Sequence, residues 1–214
     1  MNKELLDKIG KLGVIPVIAI DSADAALPLA DALIEGGLPV AEITFRTQAA
    51  AEVISVLAQK RPELLLGAGT VLTPENVQRA KDCGAVFAVA PGTHPAVVQK
   101  AQQINLPFVP GVQNPTDIEL ALSLGCTVLK FFPAEASGGL KYLSAISAPY
   151  LHTGVKFVPT GGVNSKNLSD YLRNPSVLAC GGTWIASKED MATGQWTQVA
   201  ARCREVAQIV NKLR

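Results

Sequence analysis

LLLGAGTVLTPENVQRAKDCG, residues 64–84, holds one complete strand–turn–helix unit. Residues 64–68 read as a short buried strand, apolar and bounded by glycine. The turn Gly67-Ala68-Gly69-Thr70 follows. Its glycines would let backbone approach a ligand, and Thr70 would bring a hydroxyl to the strand end. The alternative is a tight turn in which Thr70 caps locally. Thr73-Pro74 then supplies a helix start, residues 74–83 carry a helical period, and Gly84 stands where a left-handed cap ends a helix.

The same unit recurs on both sides. Apolar, β-rich runs lie at residues 14–20, 40–45, 64–68, 86–90, 108–110, 128–132, 156–159 and 177–180. Helical periodicity fills the gaps at 25–34, 49–58, 74–83, 95–103, 115–124, 140–146 and 165–172, with a last helix over about 197–213. His94-Pro95 and Asn114-Pro115 repeat the start signal, Pro28 fits a first helical turn, and Gly36-Gly37 and Gly125 repeat the stop. The strands are continuous apolar runs, as in a parallel sheet covered on both faces. Eight βα units predict an α/β fold, a single (β/α)8 TIM barrel over residues 1–214 with a short N-terminal helix. The competing open, doubly wound sheet lacks support, because no GxGxxG follows the first strand.

Composition narrows the class. The chain has 214 residues, 48% of them apolar and 17% charged, which describes a compact domain with a large interior. With 19 basic against 18 acidic residues and no basic block, neither nucleic acid nor an anionic membrane is expected as a partner. Cys83, Cys126, Cys180 and Cys203 show no CxxC pairing and no zinc spacing with His94 or His152. They read as buried hydrophobes of a reducing, cytoplasmic compartment. Residues 1–8 alternate charge with leucine, which suits an amphipathic helix and not a signal peptide.

The polar residues that interrupt the strands carry the chemistry. In TVLKFFP, residues 127–133, one ammonium sits in an apolar β-prone run. A buried, unpaired amine tends to shed its proton, and a neutral lysine attacks ketones, so Lys130 is a candidate Schiff-base residue. The alternative is a strand-end lysine that snorkels to water. On the second strand Glu42, Thr44 and Arg46 alternate onto one face. They offer an acid/base group and an anion clamp, or else a structural ion pair. Two Gly-Gly turns after the last strands, Gly161-Gly162 and Gly181-Gly182 with Thr183, resemble the phosphate end of a barrel.

Together these strings resemble the 2-keto-3-deoxy-6-phosphogluconate (KDPG) and 4-hydroxy-2-oxoglutarate aldolases. The resemblance is carried by Pro16-Val17-Ile18, Glu42 to Thr47, Gly67 to Leu72, Lys130 to Ala136 and Pro159 to Val163, and runs from about residue 12 to the last helix. It implies a class I lyase of Entner–Doudoroff carbohydrate metabolism, a homotrimer that needs no cofactor and no metal. It implies Lys130 as the Schiff-base lysine and Glu42 as general acid/base. It implies Arg46 and Thr70 on the pyruvyl carboxylate and keto group, and Thr160 lining the same pocket. Phe132 falls beside the substrate, and Gly161, Gly162, Gly181, Gly182 and Thr183 at the phosphate. Three positions depart from the familiar pattern. Thr183 stands for serine, Phe45 for leucine, and Gly92-Thr93-His94-Pro95 brings an imidazole to the rim. A KDPGal-specific aldolase, a sugar-phosphate isomerase or epimerase using Glu42 as base, and a sugar-phosphate sensor are the alternatives. The sensor has no use for a buried nucleophile.

Overall fold

A computed structural model describes residues 3–214. The apolar runs form parallel strands: β1 (Val14–Ile18), β2 (Val40–Thr44), β3 (Leu65–Gly69), β4 (Phe87–Val89), β5 (Phe108–Val109), β6 (Gly111–Val112), β7 (Val128–Phe131), β8 (Lys156–Pro159) and β9 (Cys180–Gly182). β5 and β6 are two parts of the expected fifth strand. Pro110 between them has no N–H to give the ladder, so the regular pairing breaks there. The pairing order β5-β4-β3-β2-β1-β9 continues from the other side of Pro110 as β6-β7-β8. Parallel bridges from Phe157 to Val177 and from Thr160 to Gly181 join β8 to β9 and close the ring. The barrel therefore has eight strand positions, as the repeat predicts. The last strand proper starts at Cys180, later than the apolar run at 177–180 suggests, and Val177 contributes only its bridge.

Helices cover the outside: α1 (Lys3–Leu12), α2 (Ala26–Glu35), α3 (Ala50–Lys60), α4 (Pro74–Asp82), α5 (Pro95–Gln103), α6 (Pro115–Ser123), α7 (Gly139–Ser147), α8 (Leu168–Arg173), α9 (Lys188–Thr193) and α10 (Trp196–Asn211). Their starts follow local chemistry. Thr73 accepts from the Asn76 N–H ahead of Pro74, and Asn114 with Asp117 forms a capping box ahead of Pro115. Pro28 lies in the first turn of α2, where its missing N–H costs nothing. The short helix α9 has no counterpart in the periodicity, and α8 starts three residues later than the pattern at 165–172.

Every residue of β1 and β2 is buried, which is what coverage on both faces requires. The interior is one continuous apolar cluster that includes Ile18, Ile43, Phe87, Leu129 and Phe157. Helix α1 turns Leu5 and Ile9 inward. Ile9 joins Ile15 and Leu178 around a small cavity whose other walls include Glu42 and Lys130. The predicted N-terminal helix is thus the floor of the barrel; Met1 and Asn2 of that segment lie outside the described residues.

Candidate active site

Alternation along β2 sends Glu42 and Thr44 into the barrel, where they are 3% and 1% exposed. β7 does the same with Lys130, which is 6% exposed. The register sets Glu42 opposite Gly67 and Lys130 opposite Gly111 and Val158. Lys130 Nζ then lies 3.2 Å from Glu42 Oε1, across 88 residues of chain. The amine is buried as its sequence setting suggests, but it is not unpaired. A buried ion pair gains little over apolar packing, so stability alone does not account for the pair. An amine held against a carboxylate has a proton acceptor within reach, which attack on a carbonyl requires.

The glycines of β3 have a steric reason beside the expected one. A Cβ at Gly69 would overlap the Glu42 carboxylate, and one at Gly67 would overlap the Phe87 ring. They make room for the acid and for the packing beneath it. Thr70, which follows, takes φ 56°. A β-branched residue in the left-handed region is strained, and such strain persists where the surroundings force it, commonly at functional sites. Nothing in the sequence announces that conformation.

Around the pair, the Phe132 ring centroid lies 5.6 Å from Lys130 Nζ. Thr160 is buried, donates to the Val158 carbonyl at 3.3 Å, and sits against Gly181. Arg46 is exposed at the end of β2, and its Nε donates to Thr44 Oγ1 at 3.2 Å. Thr44 in turn donates to the Ile18 carbonyl at 3.1 Å. Thr44, on the same strand face as Glu42 and Arg46, holds the guanidinium through this bond.

Gly161 and Gly162 take φ 98° and 83°, so the first Gly-Gly is the expected turn. Their N–H groups find no acceptor among the described residues, which leaves donors free for an oxyanion. The second pair is not a turn. Gly181 and Gly182 are buried in β9, where side chains would overlap Thr160 and the Trp184 ring. Thr183 is exposed just beyond them. His94 and His152 are exposed, and neither makes a side-chain hydrogen bond among the described residues. Cys126, Cys180 and Cys203 are buried, and burial raises their thiols, that of Cys203 up to about 12. Cys83 is only half-buried, contrary to the expectation for all four. Among the described residues no group of His, Cys, Asp and Glu comes together that could hold a metal ion.

The family described as "Aldolase: KDPG and KHG aldolase" matches residues 5–202, a span that holds every candidate residue above. This chain belongs to that family. A 2-dehydro-3-deoxy-phosphogluconate aldolase of Haemophilus influenzae is 47% identical over 209 residues, covering 98% of each chain. The KHG/KDPG aldolase of Escherichia coli is 37% identical over 195 residues, covering 91% of each. Among solved structures, the KDPG aldolase of Legionella pneumophila superposes with a TM-score of 0.89 at 39% identity, covering 94% of this chain and 97% of that one. That crystal structure holds pyruvate captured at low pH as a covalent carbinolamine intermediate. A carbinolamine is the adduct an amine forms with a ketone, the chemistry that a buried lysine beside a carboxylate suits.

Proposed function

We propose that this member of the family is a class I aldolase that cleaves KDPG to pyruvate and glyceraldehyde 3-phosphate, and 4-hydroxy-2-oxoglutarate to pyruvate and glyoxylate. The observation that carries the proposal is the 3.2 Å approach of Lys130 Nζ to Glu42 Oε1 inside the barrel. Glu42 takes a proton from the Lys130 ammonium, and the free amine adds to the substrate C2 ketone. Loss of water from the carbinolamine leaves a protonated imine. Glu42, directly or through one water, then removes the proton of the C4 hydroxyl. The C3–C4 bond breaks, its electron pair moves into the iminium, and the aldehyde leaves. The enamine so formed takes a proton at C3, and water releases pyruvate and the lysine. Arg46 and Thr70 hold the pyruvyl carboxylate and keto oxygen, with Thr160 and Phe132 as walls. The free N–H groups of Gly161 and Gly162 take the phosphate, with Gly181, Gly182 and Thr183 completing that end.

On this proposal residues 1–214 form one barrel aldolase domain that acts in the cytoplasm as a homotrimer. Light scattering on the purified protein measures the last point. Among the described residues no helix is long and apolar enough to cross a membrane.

The test is borohydride reduction in the presence of pyruvate. A stable mass increment on Lys130 is expected in the wild type and none in Lys130→Ala, which should fold and lose turnover by at least about a thousandfold. Glu42→Gln should still trap pyruvate while turning over about a hundredfold more slowly. An unmodified lysine in the wild type, together with proton exchange on a phosphorylated sugar, would instead identify an isomerase.

A further inference from the structure

The loop after β7 and the glycine turn after β8 are fastened together by more than the barrel ladder. The Ala134 N–H donates to the Thr160 carbonyl at 2.8 Å, and the Glu135 N–H to the Gly161 carbonyl at 3.0 Å. The Glu135 stem lies over Gly162, where an added Cβ would stand 2.5 Å from its Cβ and Cγ. On the other side of the turn, Phe132 and Pro133 stand 3.4 Å from the position of a Cβ at Gly161. The Tyr171 hydroxyl, on α8, donates to Glu135 Oε1. Tyr171 is 1% exposed, and burial first and the Glu135 carboxylate second push its hydroxyl well above the ordinary range, so it stays a donor. Glu135 is therefore gripped from α8 while its stem presses on the turn that α8 follows.

We infer that Glu135, held by Tyr171, is a positioning residue that sets the Gly161–Gly162 N–H groups for the phosphate of the substrate. This rests on the Schiff-base aldolase proposed above and extends it to an acidic residue at the phosphate end. A carboxylate is ill suited to bind a phosphate directly, and the tyrosine bond gives this one a structural place instead.

The experiment compares kcat and KM for KDPG, which carries the phosphate, with those for 4-hydroxy-2-oxoglutarate, which does not. Tyr171→Phe and Glu135→Ala should each raise KM for KDPG about fivefold or more, with kcat/KM for 4-hydroxy-2-oxoglutarate within about twofold of wild type. Glu135→Gln keeps the stem and an acceptor for Tyr171, and should return KM for KDPG to within about twofold. Equal losses on both substrates, no change on either, or a Gln variant as impaired as the Ala variant would overturn the inference. Titration with inorganic phosphate reads the same clamp without turnover: Tyr171→Phe should weaken it about fivefold, and unchanged binding counts against the clamp. Imine trapping with pyruvate, run on the same proteins, reports separately on the Schiff-base chemistry.

Discussion

A lysine and a glutamate far apart in sequence become chemistry only because each stands on the inward face of its strand. Around them single side chains have single tasks, and Thr44 shows how closely they depend on one another. Its hydroxyl spends its proton on the Ile18 carbonyl and accepts from Arg46 Nε. Replacing it by valine preserves the shape, removes the acceptor that steadies the guanidinium and takes the hydroxyl donor from the Ile18 carbonyl. Thr44→Val should therefore cost about 1–2 kcal/mol of stability. It should also raise KM for pyruvyl substrates about threefold to tenfold, with a smaller change in kcat. Steady-state kinetics with denaturant unfolding checks both, and an unchanged KM would show that Arg46 needs no support. At this scale the sequence was readable for residue types. Lys130, Glu42 and Arg46 are conspicuous in apolar strands. The partnership of Lys130 with Glu42, the left-handed Thr70 and the steric purpose of Gly67 and Gly69 were not readable, because each is set by neighbours remote in the chain.

Among the elements, the stretch from β9 to α10 is bound by one buried carboxylate. Asp190 caps α9 through Ser187 and meets Arg202 of α10 at 2.6 and 3.1 Å, while Arg202 also donates to the Ile185 carbonyl at 3.2 Å. The Arg202 guanidinium, chiefly, and then the Ser187 bonds hold the Asp190 carboxyl down at about 2. Its folded value lies below the unfolded one, so the ion pair stabilises fully above about pH 4 and fades as pH falls from there towards 2. Asp190→Asn should lower the neutral-pH Tm, and the gap to wild type should close on acidification through that window. A gap of constant size from pH 7 to pH 2 would deny the pair its electrostatic part. Helix α9 itself escaped the periodicity because six residues hold too little pattern, whereas α4 and α6 declared themselves through proline and their caps.

The whole barrel depends on its floor. Ile9 of α1 is 2% exposed and closes the interior beneath Glu42 and Lys130. Ile9→Ala should cost about 2–4 kcal/mol, seen as a lower denaturant midpoint. A cost near zero would mean that α1 is a mere decoration on the ring. By itself the sequence determined the order of strands and helices, the closed α/β class and the candidate reactive side chains. Those follow from local period, capping and residue chemistry, which act over a few positions at a time. Only the tertiary structure decided that a broken fifth strand and a late ninth still complete one ring. It alone brought Lys130 against Glu42, made a strand of Gly181 and Gly182, and set Glu135 over Gly162 under the hand of Tyr171. Register and ring closure fix those meetings, and neither leaves a trace in any short stretch of chain.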